Sequence, residues 1–443
     1  MNRRRFLKTV AATAALGAAA PQIIRAADAK PALLGGKPVR KGGWPTWPQW
    51  RSEWETKILE VYRSCKWFRR SGTIVTDFER AWAELIGAKK ALATASGTTS
   101  LITSLRVLDV GPGDEVICSP YTFIASYNSI LACDALPVFP DTDPETLTMD
   151  PKTIESRITD RTRAIMPVHI YGMPCEMDEI NAIAKKHNLA VVEDACQAWL
   201  AEYKGRKCGV LGDLGCFSFQ ESKHIPSGEG GAITSMNEEL IDKCNSYHNC
   251  GRAVSDRQAI GAGFFTPGMN YRMTQFQAQL LLLQIEKLKK ETAIRQANAD
   301  YLRANLGKIP GIKPARLPEN CKPAWHLCAF LYDAAQFNGL SRDKFLRALQ
   351  AEGVPCSSPY REQYYDGLLD VAINSRGFKR LWSESRLKAY RDSFKELKGN
   401  KQACETAVCF SQNLLLAERA AMDDIVEAVR KIHKFSAELA KKA

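Results

Sequence analysis

The chain has 443 residues, 45% of them hydrophobic and 25% charged. These are the proportions of a globular protein of about two or three domains, which excludes a disordered tail, a collagen and a small disulfide scaffold. Lysine and arginine outnumber aspartate and glutamate 61 to 49, a net +12. Five of the cations (Arg3, Arg4, Arg5, Lys8, Arg25) and one anion (Asp28) precede Lys30, leaving 56 against 48 dispersed over the remainder. That dispersion suits anionic small molecules and excludes a nucleic-acid stripe.

The opening Asn2-Arg3-Arg4-Arg5-Phe6-Leu7-Lys8 follows the twin-arginine pattern, and Ala27-Asp28-Ala29 offers an A-x-A cleavage site. The Ala-rich stretch between them, Thr9 to Ala20, is too short and too weakly apolar to cross a bilayer. Residues 1–29 therefore read as a twin-arginine signal peptide, which carries folded cargo to the periplasm or cell envelope. No later apolar run is long enough for a membrane helix.

Residues 30–52, rich in Gly, Pro and Trp, read as an ordered coil lying over a domain. From about Glu53 the pattern turns helical. Seven apolar runs then alternate with helical stretches: Lys90–Ala95, Glu115–Ser119, Leu136–Asp141, Ala164–His169, Ala190–Asp194, Gly215–Phe219 and Gly231–Ser235. This alternation predicts a large α/β domain with a mainly parallel sheet over residues 53–290. Leu101, Ile102, Leu105 and Leu108 mark one face of a helix, and Ile180, Ile183 and Ala184 another. A long helix from Thr274 to about Leu306 is expected to bridge to a smaller α/β domain, residues 291–443, with a strand at Trp325–Tyr332, a helix at Arg342–Glu352 and a closing basic helix after Met422.

Three places carry chemistry. Ser96-Gly97-Thr98-Thr99 lies where a strand meets a helix, and backbone N–H groups there would form an anion cup, although an ordinary N-cap has the same residues. In Val191-Val192-Glu193-Asp194-Ala195-Cys196-Gln197-Ala198, Asp194 ends a strand and points to the crevice where α/β sheets bind ligands; a capping or salt-bridged Asp reads alike. Gly215 to His224 runs from an apolar strand into Lys223, followed by the turn Ser227-Gly228-Glu229-Gly230-Gly231. A loop lysine is ordinarily solvated, but one desolvated at a strand end becomes an amine nucleophile. An anion cup, an acid for a pyridinium nitrogen and such a lysine together are what pyridoxal 5'-phosphate (PLP) requires. The fourteen cysteines include no C-x-x-C, and H-E-x-x-H is absent, so no metal site is expected. Cys244/Cys250, Cys321/Cys328 and Cys404/Cys409 are spaced to pair, while the default for most is a free, buried thiol. His169 and His326, each beside apolar residues, read as core, with a place facing substrate as the alternative.

From about Leu33 onward the chain resembles the DegT/DnrJ/StrS-type sugar and cyclitol aminotransferases, a fold-type I PLP family. The matching strings are GPGDEVICSPYTFIAS, PVHIYGMPCEMDEI, VVEDACQA, GCFSFQESK with GEGGAI, and GMNYRMTQFQAQL. LLGGKPVR and WPTWPQW look most like the glutamine:scyllo-inosose branch. The resemblance implies that Lys223 carries the cofactor covalently and moves a proton, and that Asp194 pairs with the ring nitrogen. It implies that Gln197 bonds the ring 3-oxygen, that Phe123 stacks on the ring, and that Gly97, Thr98, Thr99 and Ser218 hold the phosphate. Asn270 would reach the phosphate across a homodimer interface. The implied reaction moves an amino group from glutamine or glutamate to a ketosugar or keto-cyclitol. The rivals are a sugar dehydratase, which has histidine at the lysine position, and an exported non-catalytic binding protein. Cys196, His224 and Ser96 depart mildly from the family pattern.

Overall fold

The computed structural model describes residues 30–252, 263 and 266–442. The signal-peptide reading of residues 1–29 lies outside the described residues. All seven expected strands form: β1 (Lys90–Thr94), β2 (Glu115–Cys118), β3 (Leu136–Val138), β4 (Thr162–Met166), β5 (Ala190–Asp194), β6 (Leu214–Ser218) and β7 (Gly231–Ser235). They make one sheet in the order β1-β7-β6-β5-β4-β2-β3. β7 pairs antiparallel with both neighbours, while the pairs from β6 to β3 are parallel. A parallel sheet must be covered on both faces, and the alternation of side chains along each strand supplies both covers. Val191 and Phe217 face one core, in which Trp82 meets Phe217 and Phe219 edge-on at 5.1 and 5.2 Å. Val192 and Cys216 face the other, with Leu101 and Leu105 of the helix Gly97–Val107.

A second sheet holds β8 (Ile312–Pro314), β9 (Leu327–Tyr332) and β10 (Ala407–Ser411), all antiparallel in the order β8-β9-β10. The helix Arg419–Lys434 lays Ile425, Val429 and Ile432 against its core. The helix Gln275–Leu306, capped by Thr274, joins the two bodies: Ala278, Leu281 and Leu288 pack in the large core, Ala299, Leu302 and Leu306 in the small one. Helices between Leu368 and Ser393 return to the large sheet, where Phe378, Trp382 and Tyr390 complete its second face. All fourteen cysteines are free thiols. Among the described residues no helix is long and apolar enough to cross a membrane.

The N-terminal coil is a strap. Glu352, fully buried, accepts from Ala32 N at 2.7 Å and Val39 N at 2.9 Å and pairs with the buried Lys431 at 3.0 Å. Farther along, Asn413 Nδ2 donates to Pro45 O at 2.8 Å, and Trp47 Nε1 donates to Lys223 O at 3.0 Å. The strap therefore runs from the small core to the expected cofactor lysine.

Candidate active site

The C-terminal ends of β5 and β6 and the N-terminus of the helix Gly97–Val107 converge on a cleft of about 640 Å³. Gly97, Thr98, Phe123, Asp194, Gln197, Ser218 and Lys223 all line it. This is the crevice at strand ends where α/β sheets bind ligands. A larger groove of about 950 Å³ runs beside the edge strand β8, with Lys313 and Glu145 of its lining paired at 2.5 Å, and contains none of the expected site residues.

The helix start is built to leave donors open. Ser96 Oγ accepts from Thr99 N at 3.1 Å, and Thr99 Oγ1 accepts from Ser96 N at 2.9 Å, a reciprocal capping box. The cap uses both side chains, so Thr99, expected at the phosphate, does not line the cleft. The N–H groups of Gly97 and Thr98 have no partner within the helix and stay available to an anion. Glycine is obligatory at 97: a Cβ there would stand 2.8 Å from both Cys196 Sγ and Ser218 Cβ. Gly231 lets β7 approach the same corner, where a Cβ would meet Ser96 O at 2.3 Å.

Asp194 is buried and aimed. Ser126 Oγ donates to its Oδ2 at 2.7 Å and Cys196 N to its Oδ1 at 3.2 Å. Lys223 is only partly buried as a residue, yet protein surrounds its ammonium, which lies 5.7 Å from the Trp199 ring centroid. Its Nζ has no hydrogen-bond partner among the described residues. Desolvation pushes its pKa below the usual lysine range, against the opposing pull of Cys196 and Asp194. Gln197 is held at both ends: Oε1 accepts from Tyr171 N at 2.7 Å, and Nε2 donates to Tyr360 Oη at 2.9 Å, leaving one N–H for a ligand. Phe123 stands exposed on the cleft wall. Asn270 is exposed and lies outside the cleft of its own chain, bridged to Asn249.

The two open histidines separate. His169 is core: its Nε2 meets Glu193 at 3.0 Å and its Nδ1 accepts from Cys175 N at 3.1 Å. Cys208 completes a buried trio with them. Glu193 already accepts from the N–H groups of Gly209, Leu211 and Gly212 at 2.6–2.8 Å, so its carboxylate is saturated without a metal. His326, by contrast, lines the cleft, and its Nδ1 has no partner. Ser126, Tyr360 and Trp47 escaped the sequence reading: Ser126 and Trp47 lie in strings that carry the resemblance but received no role there, and Tyr360 reaches the site from a segment with no motif.

His224 turns away from the cleft, its ring 5.0 Å from that of Trp199. Burial, then the charge of nearby Arg295, pushes its pKa well below 6.5; burial does the same to His326 and His248. All three stay neutral in the fold and take up protons when unfolded at their ordinary value. Their contribution to stability is complete above about pH 6.5 and is lost as pH falls below it, at up to about 1.4 kcal/mol per unit for each. Urea midpoints are expected to drop between pH 7 and 5.5, and His224→Phe to flatten that slope by one proton.

Residues 49–373 match the DegT/DnrJ/EryC1/StrS aminotransferase family. The chain is 32% identical over 421 residues to the L-glutamine:2-deoxy-scyllo-inosose aminotransferase of Streptoalloteichus tenebrarius, covering 92% of this chain and 98% of that one. It is 39% identical over 290 residues to the GDP-perosamine synthase of Caulobacter vibrioides, covering 65% and 76%. The aminotransferase from Psychrobacter cryohalolentis superposes with a TM-score of 0.77 at 33% identity, over 90% of this chain and all of that one. The glycine-lined cup, the free amine and the aimed carboxylate fit PLP. The chain belongs to the DegT/DnrJ/EryC1/StrS family of PLP-dependent aminotransferases.

Proposed function

We propose that this enzyme moves the amino group of L-glutamine or L-glutamate onto a ketosugar or a keto-cyclitol of the scyllo-inosose type. The observation that carries the reading is the desolvated, unpartnered Lys223 amine sharing one cleft with Asp194 and the open helix N-terminus at Gly97. When bound, PLP supplies an aldehyde for that amine and a ring that withdraws electrons from the amino-bearing carbon. The rest falls to the protein. Lys223 Nζ, its pKa lowered by desolvation, takes up and returns a proton. Asp194 would hold the proton on the ring nitrogen, while the Gly97 and Thr98 N–H groups with Ser218 would hold the phosphate. Phe123 would cover a ring face, and the remaining Gln197 N–H would serve the ring 3-oxygen.

The long match to a glutamine-dependent scyllo-inosose aminotransferase supports both donor and acceptor class, and the match to a perosamine synthase supports retaining ketosugars among the acceptors. The dehydratase reading weakens because Lys223, not His224, lines the cleft. Holoenzyme given glutamine or glutamate with 2-deoxy-scyllo-inosose or a ketosugar is expected to form the corresponding amine. Absence of amine with every acceptor sinks the reading.

We further propose that Asn270, which is exposed and outside its own cleft, serves the phosphate of a second copy, so that the active unit is a homodimer. An inactive Lys223→Ala chain and an inactive Asn270→Ala chain, mixed and allowed to exchange, should then recover about a quarter of wild-type activity, since half the dimers carry one intact site. No recovery means that Asn270 acts within its own chain. Residues 1–29 are proposed to direct twin-arginine export. Fused to a folded reporter they should export it, and changing Arg3 and Arg4 to Lys should retain it in the cytoplasm; export that persists refutes the assignment.

A further inference from the structure

A second cavity, about 410 Å³, adjoins the cleft and shares Gln220, Ser222, His326 and Leu327 with it. Its size is within the range of about 300–1,000 Å³ common for small-ligand sites. The strap supplies Trp47, half-exposed, as one wall, and the end of β10 supplies Ser411, Gln412 and Asn413 as another. Gln412 is the unusual member. It is 2% exposed, and its Oε1 is gripped by Arg295 through Nε at 3.0 Å and Nη2 at 2.7 Å. Arg295 is itself buried, braced by Glu291 at 3.3 Å and stacked near Trp47, and burial lowers its pKa only to about 10, so it stays charged. This grip leaves the Gln412 amide no freedom to flip. Its NH₂ group is therefore the open end, without a partner among the described residues, on a side chain that walls the cavity.

Building on the aminotransferase reading above, we propose that this cavity seats the hydroxylated ring of the acceptor, with the Gln412 amide donating to a ring hydroxyl. The chemistry of the walls favours a neutral polyol over the amino donor. A donor amino acid brings a carboxylate, whereas the described residues lining this cavity include Glu221 and no cation. An indole face beside amide and hydroxyl groups suits a ring whose faces are C–H and whose rim is O–H.

Gln412→Ala would strand Arg295, so the informative variant is Gln412→Glu, which keeps a partner for the guanidinium and removes both amide donors. The donor half-reaction is read as the change in visible absorbance when glutamine is added to holoenzyme. The acceptor half-reaction is read as its reversal by 2-deoxy-scyllo-inosose. Gln412→Glu is expected to lower kcat/KM of the acceptor half by about tenfold or more, with the donor half changed less than twofold. Saturation-transfer NMR with unreactive scyllo-inositol should show contact with wild-type holoenzyme and lose it in the variant. Equal loss in both halves, or in neither, overturns the proposal, as does unchanged polyol binding. A wild type that takes the amino group from glutamine but passes it to no keto-cyclitol or ketosugar overturns the functional reading itself, and the proposal with it.

Discussion

Lys223→Ala is expected to cut turnover by about 10³-fold or more and to remove the visible absorbance of covalently held cofactor, with the fold intact. The fold should survive because Nζ makes no hydrogen bond among the described residues, and because Trp47 is held by the backbone carbonyl of Lys223, which alanine retains. Burying an amine without a hydrogen bond is a cost to the empty protein, so its removal should leave the urea midpoint unchanged or slightly raised. The chemistry should not survive, because desolvation lowers the pKa of this lysine and so favours its nucleophilic amine form relative to a solvated lysine. Lys223→Arg keeps a cation but not a nucleophile, and the same loss is expected. Retained turnover in either variant would remove Lys223 from the reaction, and an arginine variant far better than alanine would make its charge, not its nucleophilicity, the essential property.

Much of the site was legible because its parts are local. Asp194 and Ser218 end strands whose apolar runs are plain in the sequence, Lys223 follows one of them, and Gly97 lies at a strand–helix junction. What escaped depends on how a side chain is spent or on where distant segments meet. Thr98 and Thr99 are adjacent threonines, yet the capping box takes one away and leaves the other at the cleft. His169 and His326 sit in similar apolar surroundings, and only the fold brings Glu193 to the first and leaves the second beside Lys223. The helices between Leu368 and Ser393 are amphipathic, but nothing in their period says that they cover the large sheet rather than the small one. Trp47 and Gln412 lie 365 positions apart and line one cavity. Only the strap, held by Glu352 and Lys431, brings them together.

Asp194→Asn separates holding the cofactor from using it. The carboxylate is fixed by Ser126 Oγ and Cys196 N, and Ser126 is itself bonded to Thr122 Oγ1 at 2.8 Å. An asparagine can keep both contacts, its oxygen accepting from Cys196 N while Ser126 Oγ turns to accept from the amide. The fold and the shape of the cleft are therefore expected to persist. What is lost is a buried negative charge, and with it the means of keeping a proton on the ring nitrogen. That proton matters most when electron density flows into the ring, so the cost should appear in the rate rather than in binding. Activity is expected to fall by about 10²-fold or more. Cofactor content of the purified protein should fall far less, because the Gly97–Thr98 donors, Ser218 and Lys223 would still hold it. The comparison to make is kcat against bound cofactor per chain, measured on the same preparation. If the two decline in proportion, Asp194 serves only to shape the cleft, and the proposed pairing with the ring nitrogen is wrong.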